Sequence, residues 1–150
     1  MWAEKGSRPV RPLQNEYEWV YIYGAVNPNS GESCALILPW TNTAMMQLHL
    51  DELSKKVGPD RHIVLVMDNA SWHTTGSLKT PDNITSLPLP AYTPELNVIE
   101  RLWHWFKSHE FSNRIYDSYD SLVEELAKMW QALPDERIKS VCACSWTRMI

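Results

Sequence analysis

Two carboxylates stand out by where their neighbours must place them. Asp68 follows the apolar run Ile63–Met67 (IVLVM), so it sits at the carboxyl end of a strand, the rim where open α/β sheets hold ligands. Asp68-Asn69 is also good turn chemistry, and an Asp that caps the next turn is the alternative. Glu100 lies among Leu96, Ile99 and Trp103, so its side chain is expected to leave from the edge of a buried helical stripe. A carboxylate there is costly unless it is paired or binds a cation; Arg101 and His104 are the structural partners to weigh against a metal. The stretch between Asp68 and Glu100 holds enough residues for a loop, a strand and a return to the same rim. Two carboxylates meeting there suit Mg²⁺ or Mn²⁺, hard cations that take oxygen ligands. The corresponding chemistry is two-metal phosphoryl transfer, in which one ion activates a water or 3′ hydroxyl and the other stabilises the leaving oxygen. Two carboxylates do not by themselves specify nucleic acid.

The elements that position these groups follow from the apolar pattern. Glu18–Val26 and Ser33–Leu38 read as an antiparallel hairpin joined through the turn formers Asn27-Pro28-Asn29-Ser30-Gly31. From Thr43, a candidate N-cap, the residues Met46, Leu50, Leu53 and Val57 recur at helical spacing until Gly58-Pro59, with Lys55 and Lys56 in the last turn. The unbroken run Ile63–Met67 predicts a strand covered on both faces, and Ile84–Leu87 a weaker strand. Thr93 as N-cap and Pro94 at the first helical position begin a helix with the apolar stripe Leu96, Ile99, Leu102, Trp103 and Phe106. A further helix spans about Ser118 to Leu133, and Pro134 restarts a short last one. The order is ββαβ(α)βαα, with no internal repeat or linker.

Composition bounds the function. At 150 residues, 44% hydrophobic and 21% charged, the chain is one folded domain or part of one. A net charge of −4 argues against a self-sufficient nucleic-acid binder, although Lys5, Arg8 and Arg11 near one end and Arg137, Lys139 and Arg148 near the other leave local basic contacts. Cys34, Cys142 and Cys144 form neither a disulfide framework nor a zinc knuckle; they read as reduced thiols, Cys142 and Cys144 as a surface pair. The 8 tryptophans read as core packing plus a few exposed rings rather than a stacking platform. No membrane span or signal peptide is evident, so the expected location is the cytoplasm.

VLVMDNASWH (Val64–His73) and LPLPAYTPELNVIERLWHWFK (Leu87–Lys107) closely resemble the catalytic core of DDE-type insertion-sequence transposases of the mariner-like superfamily. The run Tyr92-x-Pro94-Glu95-Leu96-Asn97-x-Ile99-Glu100 is the most specific part, and WAEKGSRPV and YGAVNPNSGE extend the likeness over nearly the whole chain. The resemblance implies a ribonuclease-H-like α/β fold, a mixed sheet with flanking helices. It also implies DNA strand cleavage and joining at element ends and target, with Mg²⁺ or Mn²⁺ as cofactor. Asp68 matches the second catalytic aspartate and Glu100 the closing acidic residue. Asn69, His73 and Asn97 match supporting positions; for His73 a satisfied turn histidine is the alternative.

In that family the first catalytic aspartate lies on a strand upstream of the Trp-x-x-x-Gly segment, here Trp2–Gly6. That first strand and the N-terminal helix-turn-helix are therefore expected to be missing from this chain, and Glu4, Glu16 and Glu18 offer no substitute. The isolated chain is expected to be inactive or nearly so, and poorly soluble or oligomeric because strand edges are left open. It reads as a catalytic-domain fragment completed by an upstream transposase fragment, or as a non-enzymatic remnant that associates with or inhibits an intact transposase. An unrelated α/β domain with a structural acidic pair is the third reading.

Overall fold

The computed structural model describes residues 19–70, 76–111 and 116–148. Strand β1 (Tyr21–Val26) pairs antiparallel with β2 (Ser33–Leu38), Tyr21 opposite Leu38 and Val26 opposite Ser33. Their turn is held by Asn27, whose Oδ1 accepts from the backbone N–H of Asn29 at 2.9 Å and of Ser30 at 3.1 Å. Gly31 adopts φ +83 there, and a Cβ at that position would lie 2.5 Å from the Asp135 carbonyl oxygen. The predicted hairpin is present, with its first strand beginning at Tyr21; Glu18 lies outside the described residues.

Helix α1 (Thr43–Val57) is capped by Asn42, not Thr43: the Asn42 side chain accepts from the Met45 N–H at 2.9 Å. Asn fills the cap as well as Thr does, and from one residue earlier it makes Thr43 the first residue of the helix. At the other end Asn83 Nδ2 donates to the Ser54 and Gly58 carbonyls, both at 3.0 Å, and ties the helix terminus to the turn before the last strand. The next two strands, β3 (Ile63–Met67) and β4 (Ile84–Pro88), pair in parallel. No helix is found between them among the described residues.

Tyr23 of β1, Met67 of β3, and Met46 and Leu50 of α1 form one buried cluster. Both strand pairs thus share α1 as a roof, yet β1 and β3 are not hydrogen-bonded to each other, and the described residues form two separate two-stranded sheets. Coverage on both faces, expected for Ile63–Met67, is not what the structure shows. Leu65 and Met67 face α1, but Val64 is 61% exposed and Leu87, on the same side of the neighbouring strand, is 52% exposed. Val66, on the same side, is half-buried, so that face is only partly covered.

Helices α2 (Val98–His109), α3 (Tyr119–Gln131) and α4 (Asp135–Cys142) build a second core. Ser118 closes a capping box on α3 with Ser121, and α4 follows Pro134 as predicted. Leu102, Phe106, Ile138 and Cys142 are buried together, with Trp103, Trp105 and Trp130 packed around them. Each large side chain removed from water here stabilises the fold by about 1.5–3 kcal/mol. These three tryptophans serve the core as read, while Trp19 and Trp40 are exposed and Trp2 and Trp72 lie outside the described residues. Cys142 is a correction. It belongs to this core rather than to a surface pair, because α4 turns it inward beside Ile138 while Cys144 lies beyond the helix.

Burial pushes the Cys142 thiol from the usual 9.0 up to about 11. Between those values the unfolded chain releases a proton that the folded chain retains, so stability is full below about pH 9 and declines as pH rises through about 11. Tyr23, also raised by burial, adds to the same decline. Urea unfolding at a series of pH values from 7.5 upward is expected to show this loss, and Cys142→Ala to show a shallower slope than the parent.

Candidate active site

Strand β3 carries Asp68 to the sheet rim by its length alone: five residues end in Met67, and Asp68 is the first residue beyond. It is exposed, and its Oδ1 accepts from the Ala70 N–H at 3.3 Å. The turn-capping contact weighed as the alternative is therefore present, and it fixes the carboxylate on the rim rather than removing it. Asn69 is exposed beside it. His73 lies outside the described residues.

The return to α2 runs along β4. The Leu89 N–H donates to the Met67 carbonyl at 2.8 Å, extending the pairing to the residue beside Asp68. Pro94–Leu96 then form a single 3₁₀ turn, and Asn97, not Thr93, stands at the N-cap of α2. Thr93 instead donates its hydroxyl to the Pro90 carbonyl at 2.7 Å, which locks the loop and leaves the helix start to the next turn. Glu100 consequently lies in the first turn of α2, one turn earlier than expected, where the helix dipole favours a carboxylate.

Ile99, Leu102 and Phe106 are buried as their spacing requires, but Glu100 is exposed. The cost of a buried carboxylate therefore does not bear on its role; successive residues turn by about 100°, and Glu100 falls outside the buried stripe. Of its two candidate structural partners, Arg101 donates to the Ala143 carbonyl at 2.6 Å, and Glu100 forms no ion pair with Arg101 or His104 among the described residues. Asn97 and Glu100 share an open groove of about 650 Å³ with Pro94, Arg101, His104, Trp105 and His109. Asp68 is not part of its lining. The ring of His109 stacks on Trp105 at 5.0 Å and 16°, and the Arg137 guanidinium lies 5.5 Å from the Trp105 ring centre. This ring and cation layer was not singled out in the sequence; the spacing of Trp105 and His109, four residues apart on a helix, was the available signal.

What brings α2 to its place is a glycine. A Cβ on Gly24 would lie 2.9 Å from Ile99 Cδ1 and 3.0 Å from the Trp103 ring, so the bare backbone of β1 is what lets the residues on either side of Glu100 seat against the strand.

A family model described as DDE superfamily endonuclease matches residues 1–123. The chain belongs to that family. Among relatives of this DDE endonuclease chain, the uncharacterised protein y4pE/y4sA of Sinorhizobium fredii is 42% identical over 130 residues, covering 85% of this chain and 96% of that protein. The Tc3 transposase of Caenorhabditis elegans is 30% identical over 87 residues, 55% of this chain and 26% of that protein. In fold, the chain is similar to the Mos1 strand transfer complex with a TM-score of 0.63 at 19% identity, over 95% of this chain and 44% of that one. The DDE family and the ribonuclease-H-like α/β fold implied by the motif are both borne out. The chain spans about a quarter of the Tc3 protein and less than half of the Mos1 chain. Among the described residues no helix is long and apolar enough to cross a membrane.

The close approach at Gly24 sets a test of how α2 is held. Gly24→Ala is expected to lower stability by about 1–3 kcal/mol through overpacking against Ile99 and Trp103. Gly76→Ala, where a Cβ meets nothing within 4 Å, should stay within about 0.5 kcal/mol of the parent. Thermal unfolding of the two variants side by side measures the difference.

Proposed function

We propose that the chain supplies two carboxylates, Asp68 and Glu100, to the active site of a transposase catalytic domain that cleaves DNA strands and joins them during transposition of an insertion sequence. One observation carries this reading: the endonuclease family match runs through residues 1–123 and so takes in both the rim residue after β3 and the first turn of α2. Asn69 and Asn97 flank the two carboxylates as supporting groups, and His73 completes the motif in sequence. The DNA partners are the element ends and the target.

The donor chemistry fits a hard divalent cation in kind, because exposed carboxylate oxygens are what Mg²⁺ and Mn²⁺ take. It falls short in number: among the described residues no three His, Cys, Asp or Glu side chains converge. Bound there, such ions would activate the attacking water or 3′ hydroxyl and stabilise the leaving oxygen. Asp68 is held to the rim through Ala70, and Glu100 is held by the seating of Ile99 and Trp103, so each carboxylate rides on a separately fixed element.

A third carboxylate belongs on a strand between β1 and β3. The two strand pairs share one roof but lack a joining strand among the described residues, and edges left open invite pairing with another segment. That strand would come from an upstream transposase segment, with self-association of the chain as its substitute when the segment is withheld. The 150-residue chain alone is then inactive in strand cleavage.

Mn²⁺ titration of the isolated chain should show weak binding that falls by about tenfold or more in Asp68→Ala and in Glu100→Ala; unchanged binding in the double variant would remove the site. Size-exclusion chromatography of the chain should show oligomers, and co-expression with an upstream segment carrying a strand that ends in Asp should convert them to a defined complex with cleavage activity. A monodisperse monomer with a cooperative melt would count against the open-edge argument. A complex that forms yet never cleaves would mark the chain as an association partner only.

A further inference from the structure

We propose that Tyr92 is a stacking residue that receives an unpaired base of the DNA strand, a role that rests on the reading of the chain as part of a DNA-cleaving and joining domain. Tyr92 is 99% exposed, and among the described residues it alone combines a side chain with a positive φ, +62. A bulky residue in the left-handed region is strained, and strain of this kind persists only where the surroundings hold it. Here they do. Thr93 closes the loop on the Pro90 carbonyl, Leu89 is bonded to Met67, and Pro88, Pro90 and Pro94 stiffen the chain around it. Yet a ring surrounded by solvent gives the fold nothing in return, so the benefit lies in something the ring meets from outside.

The neighbourhood indicates what that is. Two residues on, Pro94 begins the groove along α2, lined by the carboxylates Glu95 and Glu100, the Arg101 guanidinium, His104 and the stacked Trp105 and His109. One residue before the loop, β4 ends beside the strand that delivers Asp68. A rigidly presented ring with a guanidinium and further rings beside it matches a single-stranded nucleotide, with a base on the π face. A protein partner would favour an apolar collar around Tyr92, whereas Pro90, Ala91, Pro94 and Glu95 around it are small, stiff or charged.

The test uses the full chain and short DNA duplexes, one blunt and one with an unpaired 2-aminopurine at its 3′ end, in EDTA so that no metal site is required. The parent should quench the 2-aminopurine and prefer the overhang by about tenfold. Tyr92→Phe should keep both properties. Tyr92→Gly should lose the preference while blunt-duplex affinity stays unchanged, and should melt at a higher temperature because the backbone strain is relieved. The proposal is overturned if Tyr92→Gly keeps the preference, if it melts lower than the parent, if Tyr92→Phe loses the preference, or if the glycine variant alters only the oligomeric state, which would assign the ring to a protein interface. If the parent binds neither duplex, the DNA-processing reading falls with it; if it binds both and Tyr92 makes no difference, only the stacking role falls.

Discussion

The approach of α2 to β1 at Gly24 is the contact on which the rest of the structure depends. Ile99 and Trp103 can rest on the strand only because no Cβ stands between them. The same seating orients Leu102 and Phe106 toward Ile138 and Cys142, and Trp103 toward Trp130 at 5.8 Å. One close backbone approach therefore joins the hairpin to the helical layer and fixes which residues of α2 are left facing out. Glu100 is one of them, and its place follows from packing on the far side of its own helix.

The two cores divide the work. Beneath α1 the strands are gathered by Tyr23, Met46, Leu50 and Met67, and Asn83 binds the end of α1 to the turn that starts β4. Between α2 and α4 the helices are gathered by aromatic rings, a tilted and edge-on set around Phe106 of the kind that adds to area burial. Asp68 belongs to the first body and Glu100 to the second. Bringing them to one site is thus a matter of how the two bodies sit together, and the hydrogen-bonded sheet that would lock this relation is split between β1 and β3 among the described residues. A parallel strand pair with Val64 and Leu87 uncovered is unusual, since parallel sheets are ordinarily buried on both faces. In the proposed reading a joining strand would close the split between β1 and β3, and the activity is assigned to the domain it completes.

Both carboxylates are exposed, and neither is recognisable from burial or from a buried ion pair. The proposed reading selects them by position: one at the end of a strand, the other in the first turn of a helix that begins beyond a proline-rich loop. That loop is where the chain is least relaxed, with a fully exposed tyrosine held at positive φ between stiff neighbours. A rigid strained loop between a strand end and a helix start is the arrangement expected where a substrate, rather than the protein interior, rewards the geometry.

The sequence by itself determined the elements and the family. Apolar period placed β1 to β4, α1 and α3 close to their observed bounds, because periodic burial is a local property of the chain, whereas α2 starts four residues after Pro94; the run from Tyr92 to Glu100 was specific enough to indicate the DDE family. Turn chemistry was less legible: Asn42 and Asn97 stand at the helix starts where Thr43 and Thr93 were expected, since several neighbouring residues can cap and the choice depends on where the chain enters. Tertiary structure alone decided the rest. The exposure of Glu100, the inward turn of Cys142, the partly covered side of Ile63–Met67 and the His109–Trp105–Arg137 layer each depend on residues distant in sequence. Periodicity says that a residue has an inward or an outward face, but only the packing of separate elements decides what, if anything, lies against it.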